Sequence, residues 1–207
     1  MKSLLIFGSG GHGQSVLDAA LCSEEWDGIA FCDDISQADV CDYKVLASQD
    51  DGLKMTDRYA YAAIALGDNA LREIWHRKAK SAGFILPVIR HPFSSVGRFS
   101  EIGEGSVIMP GVSVVAGSRV GSGCILNTGS TVDHNCAVSD FAHLSPGVHL
   151  GGSVAIGKRC WLCVGVSVGG DVGICDDCVI GAGAAVVSNI TKSGMWAGVP
   201  AVFKHGL

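Results

Sequence analysis

Seven histidines are the side chains best suited to serve as a base near neutral pH, since imidazole ordinarily titrates at about 6.5. Four have plain surroundings. His76 sits in a charged, helix-like stretch and is expected at the surface. His91 precedes Pro92 in a connecting segment, His149 precedes an interior-type Leu150 and points outward, and His205 is in the tail. His12 belongs to a Gly-rich turn, which leaves His134 and His143. Eighteen residues after His134 stands Gly152, and eighteen further Gly170. In a chain that stacks every eighteen residues, this His-Gly-Gly column leaves open space beside one imidazole. It also leaves a backbone N–H at Gly152 to face a developing oxyanion. A base beside such a donor is equipment for acyl transfer to an amine or hydroxyl.

The stacking follows from a repeat. From Val96, every sixth residue through Val186 is Ile, Leu or Val, sixteen positions in all. Two residues before each lies a Ser, Cys, Ala or Val. Positions two apart point to the same side of a strand. Three hexads therefore make a triangular coil of eighteen residues, with one large aliphatic per side filling the axis. One coil cannot bury its own interior, so coils must stack, a little over five of them. Gly follows seven of the aliphatics, where it is expected to relieve strain at the corners. Cys160-x2-Cys163 and Cys175-x2-Cys178 imitate a zinc-ribbon spacing. Cys160 and Cys178 fall on small interior positions, as do Cys124 and Cys136, and read as packing thiols. Cys163 and Cys175 lie off that register and are not expected to converge with them, so no metal is assigned.

Residues 1–93 hold 8 of the 29 glycines and read differently. Ser3–Phe7 is a strand, Gly8–Gly13 a Gly-rich turn and Gln14–Cys22 a helix. Ile29–Cys32, Tyr59–Leu66 and Ile85–Ile89 follow as strands, with a helix capped by Asn69 that runs to about Ala82 and stops at Gly83. This is a Rossmann-like βαβ pattern, hence a small parallel sheet. Gly8-x-Gly10-x-x-Gly13 followed by Asp33 fits a dinucleotide fingerprint, but the length supplies only half of a doubly wound fold. One half suits one nucleotide, with a diphosphate on the helix N-terminus and an Asp accepting from hydroxyls.

Composition excludes other classes. A net charge of −5 without a basic run excludes nucleic-acid binding. A hydrophobic fraction of 48% excludes disorder. No apolar run reaches the ~20 residues of a membrane span, and Gly8 ends the only early one, so a cytoplasmic protein with reduced cysteines is expected.

Gly8–Gly13, Phe31-Cys-Asp-Asp34, Ala65-Leu-Gly-Asp-Asn69, Leu126-Asn-Thr-Gly129, Val132-Asp-His134, Ala142-His-Leu-Ser-Pro-Gly147 and Gly198-Val-Pro-Ala201 occur in that order over nearly the whole chain. Together with the repeat they resemble sugar acyltransferases, the family that includes sialic acid O-acetyltransferases and UDP-4-amino-sugar N-acetyltransferases. The resemblance implies a nucleotide-sugar-binding domain over 1–93 and a left-handed parallel β-helix over 94–207. It implies acetyl-CoA as co-substrate, a homotrimer, and no metal. His134 is the implied general base and the Gly152 amide the implied oxyanion donor. Gly10, Gly11, His12, Asp33, Asp34 and Gly67 are placed at the nucleotide sugar. His143, Val164 and Ala182 are implied at acetyl-CoA, with the Gly198–Ala201 loop closing over its pantetheine end. The family usually follows its base with an acidic residue, and Asn135 departs from that. Asn orients an imidazole but lends it no charge, and Asp133 alternates to the other side. The expected activity is N-acetylation of a UDP-linked 4-amino sugar. O-acetylation of sialic acid and a non-catalytic nucleotide-sugar-binding trimer are the alternatives, and a dinucleotide oxidoreductase ranks behind them because no catalytic apparatus follows the fingerprint.

Overall fold

A computed structural model describes residues 2–206, which form two compact units, one ending at Pro92 and one beginning at Phe93. The first unit is a four-stranded parallel sheet built from β1 (Ser3–Phe7), α1 (Gly11–Cys22), β2 (Gly28–Cys32), β3 (Val45–Ala47), α2 (Gln49–Gly52), β4 (Tyr61–Ile64) and α3 (Asn69–Ala82), followed by β5 (Ile89–Arg90). Its strand order is β3-β2-β1-β4. In that order the chain reverses direction of travel between β1 and β4, and a crevice opens beyond their carboxyl ends. Leu5, Phe7, Ala62 and Ile64 pack with Trp75, Ala79 and Phe84 into its core.

Several local features differ from the sequence reading. α1 begins at Gly11, three residues earlier than expected. Asp68, not Asn69, caps α3: its Oδ1 accepts from Leu71 N at 2.7 Å, while Gly83 ends the helix at φ 103°. The expected strand over 85–89 is not continuous: Ile85 makes a single bridge to Tyr61, and only Ile89 belongs to a strand, β5. β3 and α2 had no clear sequence signal. His76 is buried, because α3 turns Arg72, Trp75, His76 and Ala79 inward at helical spacing.

The second unit is a three-sided parallel β-helix of sixteen short strands, β6 (Ser95–Val96) through β21 (Ala185–Val186). Partners are eighteen residues apart throughout, as in Thr131 with His149, Ile125 with His143 and Arg119 with Ala137. The first side holds β6, β9, β12, β15, β18 and β21; the second holds β7, β10, β13, β16 and β19. The third holds β8, β11, β14, β17 and β20, and is extended by β22 (Gly194–Ala197) and β23 (Val202–His205). The repeating aliphatics fill the axis; Ile108, Leu126, Leu144 and Leu162 are fully buried.

The corners divide the work of glycine in a way the pattern did not show. From Ile102 to Ile180, the residue three after each interior aliphatic takes the left-handed conformation, whether Gly (φ 68° at Gly129) or not (57° at Asn135, 60° at Ser153, 59° at Asp171). Gly directly after the aliphatic serves close approach instead. A Cβ on Gly103 would stand 2.5 Å from the Gly121 carbonyl carbon, and φ there is not positive. The small interior positions carry a hydrogen-bond ladder. Ser106 Oγ donates to Gly121 O (2.8 Å), Ser118 Oγ to Asp133 O (2.6 Å), Cys124 Sγ to Ser139 O (3.2 Å), Cys136 Sγ to Gly151 O (3.1 Å) and Cys160 Sγ to Cys175 O (3.0 Å). Short donors there satisfy corner carbonyls that would otherwise be buried without partners.

Candidate active site

His134 stands at the corner that ends the first side of the β-helix. Its backbone N–H donates to its neighbour Asp133 Oδ1 at 2.7 Å, so that carboxylate is held on the main chain rather than on the ring. The imidazole lies directly over Gly152, where a Cβ would come within 2.5 Å of Cε1 and 2.6 Å of Nε2. Only glycine accommodates the ring in this position. The Gly152 carbonyl accepts from Asp171 N at 2.9 Å, while among the described residues its own N–H meets no acceptor. Its direction follows from the ladder. Gly151 O is turned inward onto Cys136 Sγ, and a planar trans peptide then sends the Gly152 N–H outward. A base and an outward N–H thus share one corner.

His134 Nδ1 lies 3.3 Å from the Asn135 side-chain nitrogen. An amide rotates through 180° with no change of shape, and its oxygen then accepts from Nδ1–H. In that arrangement Nε2 keeps its lone pair and can take a proton. The left-handed backbone at Asn135 brings its side chain back beside the ring, with the other end of the amide against Gly117.

His143 belongs to the third side, in β14 (His143–Leu144), and stacks on Trp161 with ring centroids 6.0 Å apart and planes within 10°. Trp161 Nε1 donates to Ser145 Oγ at 3.0 Å, which fixes that pair. Val164 and Ala182 are exposed at the next corner, one coil apart, where Gly183 N donates to Val164 O. The Gly198–Ala201 loop is tied to β21, with Ala201 N donating to Ala185 O at 2.8 Å. Within one chain, His134 and the corner of Val164 and Ala182 are therefore separated by a full side of the prism, with His143 on the third side that ends at that second corner. A groove of about 660 Å³ on the second side, among Ala137, Ala155, Gly173 and Cys175, contains none of the expected site residues.

The remaining expected residues gather beyond the carboxyl ends of β1, β2 and β4. Gly8 turns at φ 105°, and Gly13 lies so close to Gly8 O that a Cβ would stand 2.2 Å away. Gly10, the N-cap of α1, supplies no side-chain cap; a Cβ on Gly10, Gly11 or Gly67 would meet no atom within 4 Å. The first turn of α1 thus opens onto free space, as anion binding requires. His12 Nε2 is buried with no hydrogen-bond partner among the described residues. Burial, reinforced by the nearby Arg72 charge, pushes the His12 imidazole down to about 4, so it is neutral at pH 7. Asp33 turns its carboxylate onto the main chain, accepting from Ser9 N (2.7 Å), Ile35 N (2.7 Å) and Ser36 N (2.9 Å). Burial acts to raise that carboxyl, but these donors outweigh it and hold it below the usual carboxylate range. Asp34 Oδ1 accepts from Gln49 N at 2.8 Å. Both aspartates thus shape the loop that borders the crevice.

Arg72 is the residue the sequence reading missed. It is almost fully buried in the first turn of α3 and donates to Leu66 O (2.9 Å), Gly67 O (3.1 Å) and Asn69 Oδ1 (2.6 Å). Its guanidinium places one positive charge in low dielectric behind the Gly67 loop. Its position in a charged, helix-like run hid it; the one available signal was its three-residue step to the buried Trp75. One expectation about the thiols is corrected. Cys175 does converge, with Sγ 3.6 Å from Cys178 Sγ, because the corner folds its side chain back toward the axis. The hydrogen bond with Cys160 and burial together push the Cys178 thiol up, and burial pushes Cys175 up to about 11, so both are protonated.

Residues 3–79 match the PglD N-terminal domain. The acetyltransferase domain of PglB from Neisseria gonorrhoeae is 34% identical, with a TM-score of 0.94 over 98% of this chain and 99% of that one. The same domain has been seen in complex with acetyl coenzyme A. A variant perosamine N-acetyltransferase from Caulobacter crescentus, in complex with CoA and GDP-perosamine, is 34% identical with a TM-score of 0.95 over 99% of this chain and 98% of that one. WeeI from Acinetobacter baumannii, at 21% identity and a TM-score of 0.76, shares the fold. A search of curated protein sequences gives no match.

Proposed function

The chain belongs to the family of sugar N-acetyltransferases that join a Rossmann-like domain to a left-handed β-helix of hexapeptide repeats, and from that premise we propose that it transfers the acetyl group of acetyl-CoA to the amine of a nucleotide-linked amino sugar. Bound acetyl-CoA in one relative and bound CoA with GDP-perosamine in another support both substrates. The observation that carries the chemistry is the His134 ring lying over Gly152, whose N–H points outward with no acceptor among the described residues.

In the proposed reaction His134 Nε2 removes a proton from the sugar amine as nitrogen attacks the thioester carbonyl. The Gly152 N–H stabilises the oxyanion, and the C–S bond breaks to release CoA, which leaves as the thiol with the proton returned from His134. With its amide turned so that the oxygen faces Nδ1, Asn135 keeps the ring in the tautomer with Nδ1 protonated. Substitution of one histidine, by Asn or by Ala, in two of the Caulobacter complexes is in line with a histidine-dependent step. The first unit takes the nucleotide: the diphosphate lies on the first turn of α1 near Gly10 and Gly11, with the Arg72 charge behind Gly67. Asp33 and Asp34 set the loop, and the neutral His12 offers Nε2 as an acceptor. The nucleotide is taken as UDP, and the bound GDP-sugar of the Caulobacter enzyme makes guanosine the competing base. His143, Val164 and Ala182 receive acetyl-CoA. The separation of the Val164 and Ala182 corner from His134 by a full side of the prism supports a homotrimer, in which one chain's base meets the cofactor groove of its neighbour. Both substrates are cytoplasmic metabolites, which supports a cytoplasmic enzyme; no helix among the described residues is long and apolar enough to cross a membrane.

Release of CoA thiol with UDP-linked and GDP-linked 4-amino sugars, free sialic acid and no acceptor tests this reading. Turnover confined to a nucleotide amino sugar and reduced by about 10²-fold or more in His134→Ala is expected. Turnover with sialic acid alone, or a loss of no more than about twofold in His134→Ala, overturns it.

A further inference from the structure

At the opposite end of α1 from the crevice, three unlike donors meet on the first unit. Asp18 and Cys22 are four residues apart on α1, so their side chains lie on one face a turn apart. His91 follows β5, which packs against α1. One carboxylate oxygen, one thiol sulfur and one imidazole nitrogen all lie within 4.8 Å of one another, and Asp18 and Cys22 face solvent. Nothing in the proposed transfer reaction uses them.

The geometry points to a divalent zinc site formed by Asp18, Cys22 and His91, with water completing a tetrahedron. Mixed sulfur, nitrogen and oxygen donation is the set zinc takes, at about 2.0–2.3 Å per ligand. Ligand atoms around such an ion stand roughly 3.5 Å apart, so small rotamer changes from the present separations close the site. The backbone favours it on both sides. Pro92 confines the preceding His91 to an extended conformation, which limits where its ring can go. Cys22 is the last residue of α1, and the last turn of that helix carries no basic side chain. A cation there is favoured by the negative end of the helix dipole, whose last carbonyls otherwise meet, among the described residues, only the neutral donors of Ser23 and Glu24. On binding, the Cys22 thiol releases its proton to solvent and coordinates as thiolate. The ion then clips the end of α1 to the segment after β5, far in sequence from either helix end that the crevice uses. The inferred role is structural, and the site stands whether or not the proposed acetyl transfer is correct.

Cobalt(II) titration of the full-length, metal-stripped protein reads the site directly, since thiolate ligation gives an intense charge-transfer band that Zn²⁺ abolishes on displacement. Expected are one Co²⁺ per chain, loss of the band in Cys22→Ser, and binding weaker by about tenfold or more in His91→Asn. Cys175→Ser, which alters the other thiol group, is expected to leave the band intact. A wild-type chain without the band, a band unchanged in Cys22→Ser, or one lost only in Cys175→Ser overturns the assignment, the last by placing the metal among the β-helix thiols. Circular dichroism of each variant confirms that the comparison is between folded proteins.

Discussion

A single added methyl group tests the candidate active site most sharply. In Gly152→Ala the new Cβ would stand 2.5 Å from His134 Cε1, 2.6 Å from Nε2 and 3.2 Å from Nδ1. Carbon contacts settle at about 3.5–4.0 Å, so the ring must retreat by roughly 1 Å. Gly152 does not occupy the left-handed region, so alanine fits its backbone and the coil persists. Displacing a reacting group by about 1 Å costs on the order of 10²-fold in rate, and losing a general base costs about 10²–10⁴-fold. kcat for CoA release is therefore expected to fall by about 10²-fold, with the KM for the nucleotide sugar and the melting temperature little changed. Gly170→Ala is the control, because its Cβ would meet nothing closer than Gly152 O at 3.3 Å. If the methyl acts through the imidazole, Gly152→Ala combined with His134→Ala is no slower than His134→Ala alone. A Gly152→Ala enzyme within about twofold of wild type, or losses that multiply in the double variant, would refute the reasoning.

Asn135→Asp exchanges the amide 3.3 Å from His134 Nδ1 for a carboxylate, at a left-handed position that Asp171 and Asp177 already occupy. Two unit charges at that distance attract by about 1.3 kcal/mol in water, and solvent screening trims it, so kcat/KM at neutral pH is expected to rise by no more than about tenfold; a fall in steady-state rate with an unchanged fold would show that the amide does something a carboxylate cannot. His12 gives a pH dependence of stability. Its folded value of about 4 lies below the ordinary 6.5, so between these the unfolded chain binds more protons, and stability falls as pH drops through that window. The loss is on the order of 3 kcal/mol, complete by about pH 4, and urea unfolding of the first unit measures it. His12→Gln is expected to flatten the curve between pH 6.5 and 4, and a variant with the wild-type slope would remove His12 as its source.

The axis of the β-helix could be read from the chain because each hexad repeats one local decision. A large aliphatic and a small residue two places earlier must share a face, and sixteen repetitions leave no other register. That register alone placed Gly152 over His134 and Gly170 above it. The βαβ alternation of the first unit was legible for the same reason, down to the glycines that open the crevice beyond β1. What the repeat could not carry was the direction of groups lying off its register. Cys175 reaches Cys178 because the corner bends its side chain back, and alternation along a strand holds no information about a corner. Asp33 is drawn onto the Ser9, Ile35 and Ser36 amides by a loop whose closure depends on residues 24 positions apart in the chain. Arg72 and His76 are buried because α3 lies against a sheet assembled from distant strands, and only that packing decides which face of a charged helix leaves water. Sequence determined the period and therefore the stacking, since both follow from local stereochemistry. Tertiary structure decided which hydrogen bonds each polar group finally makes, since partners, burial and charge are set only when separate segments meet.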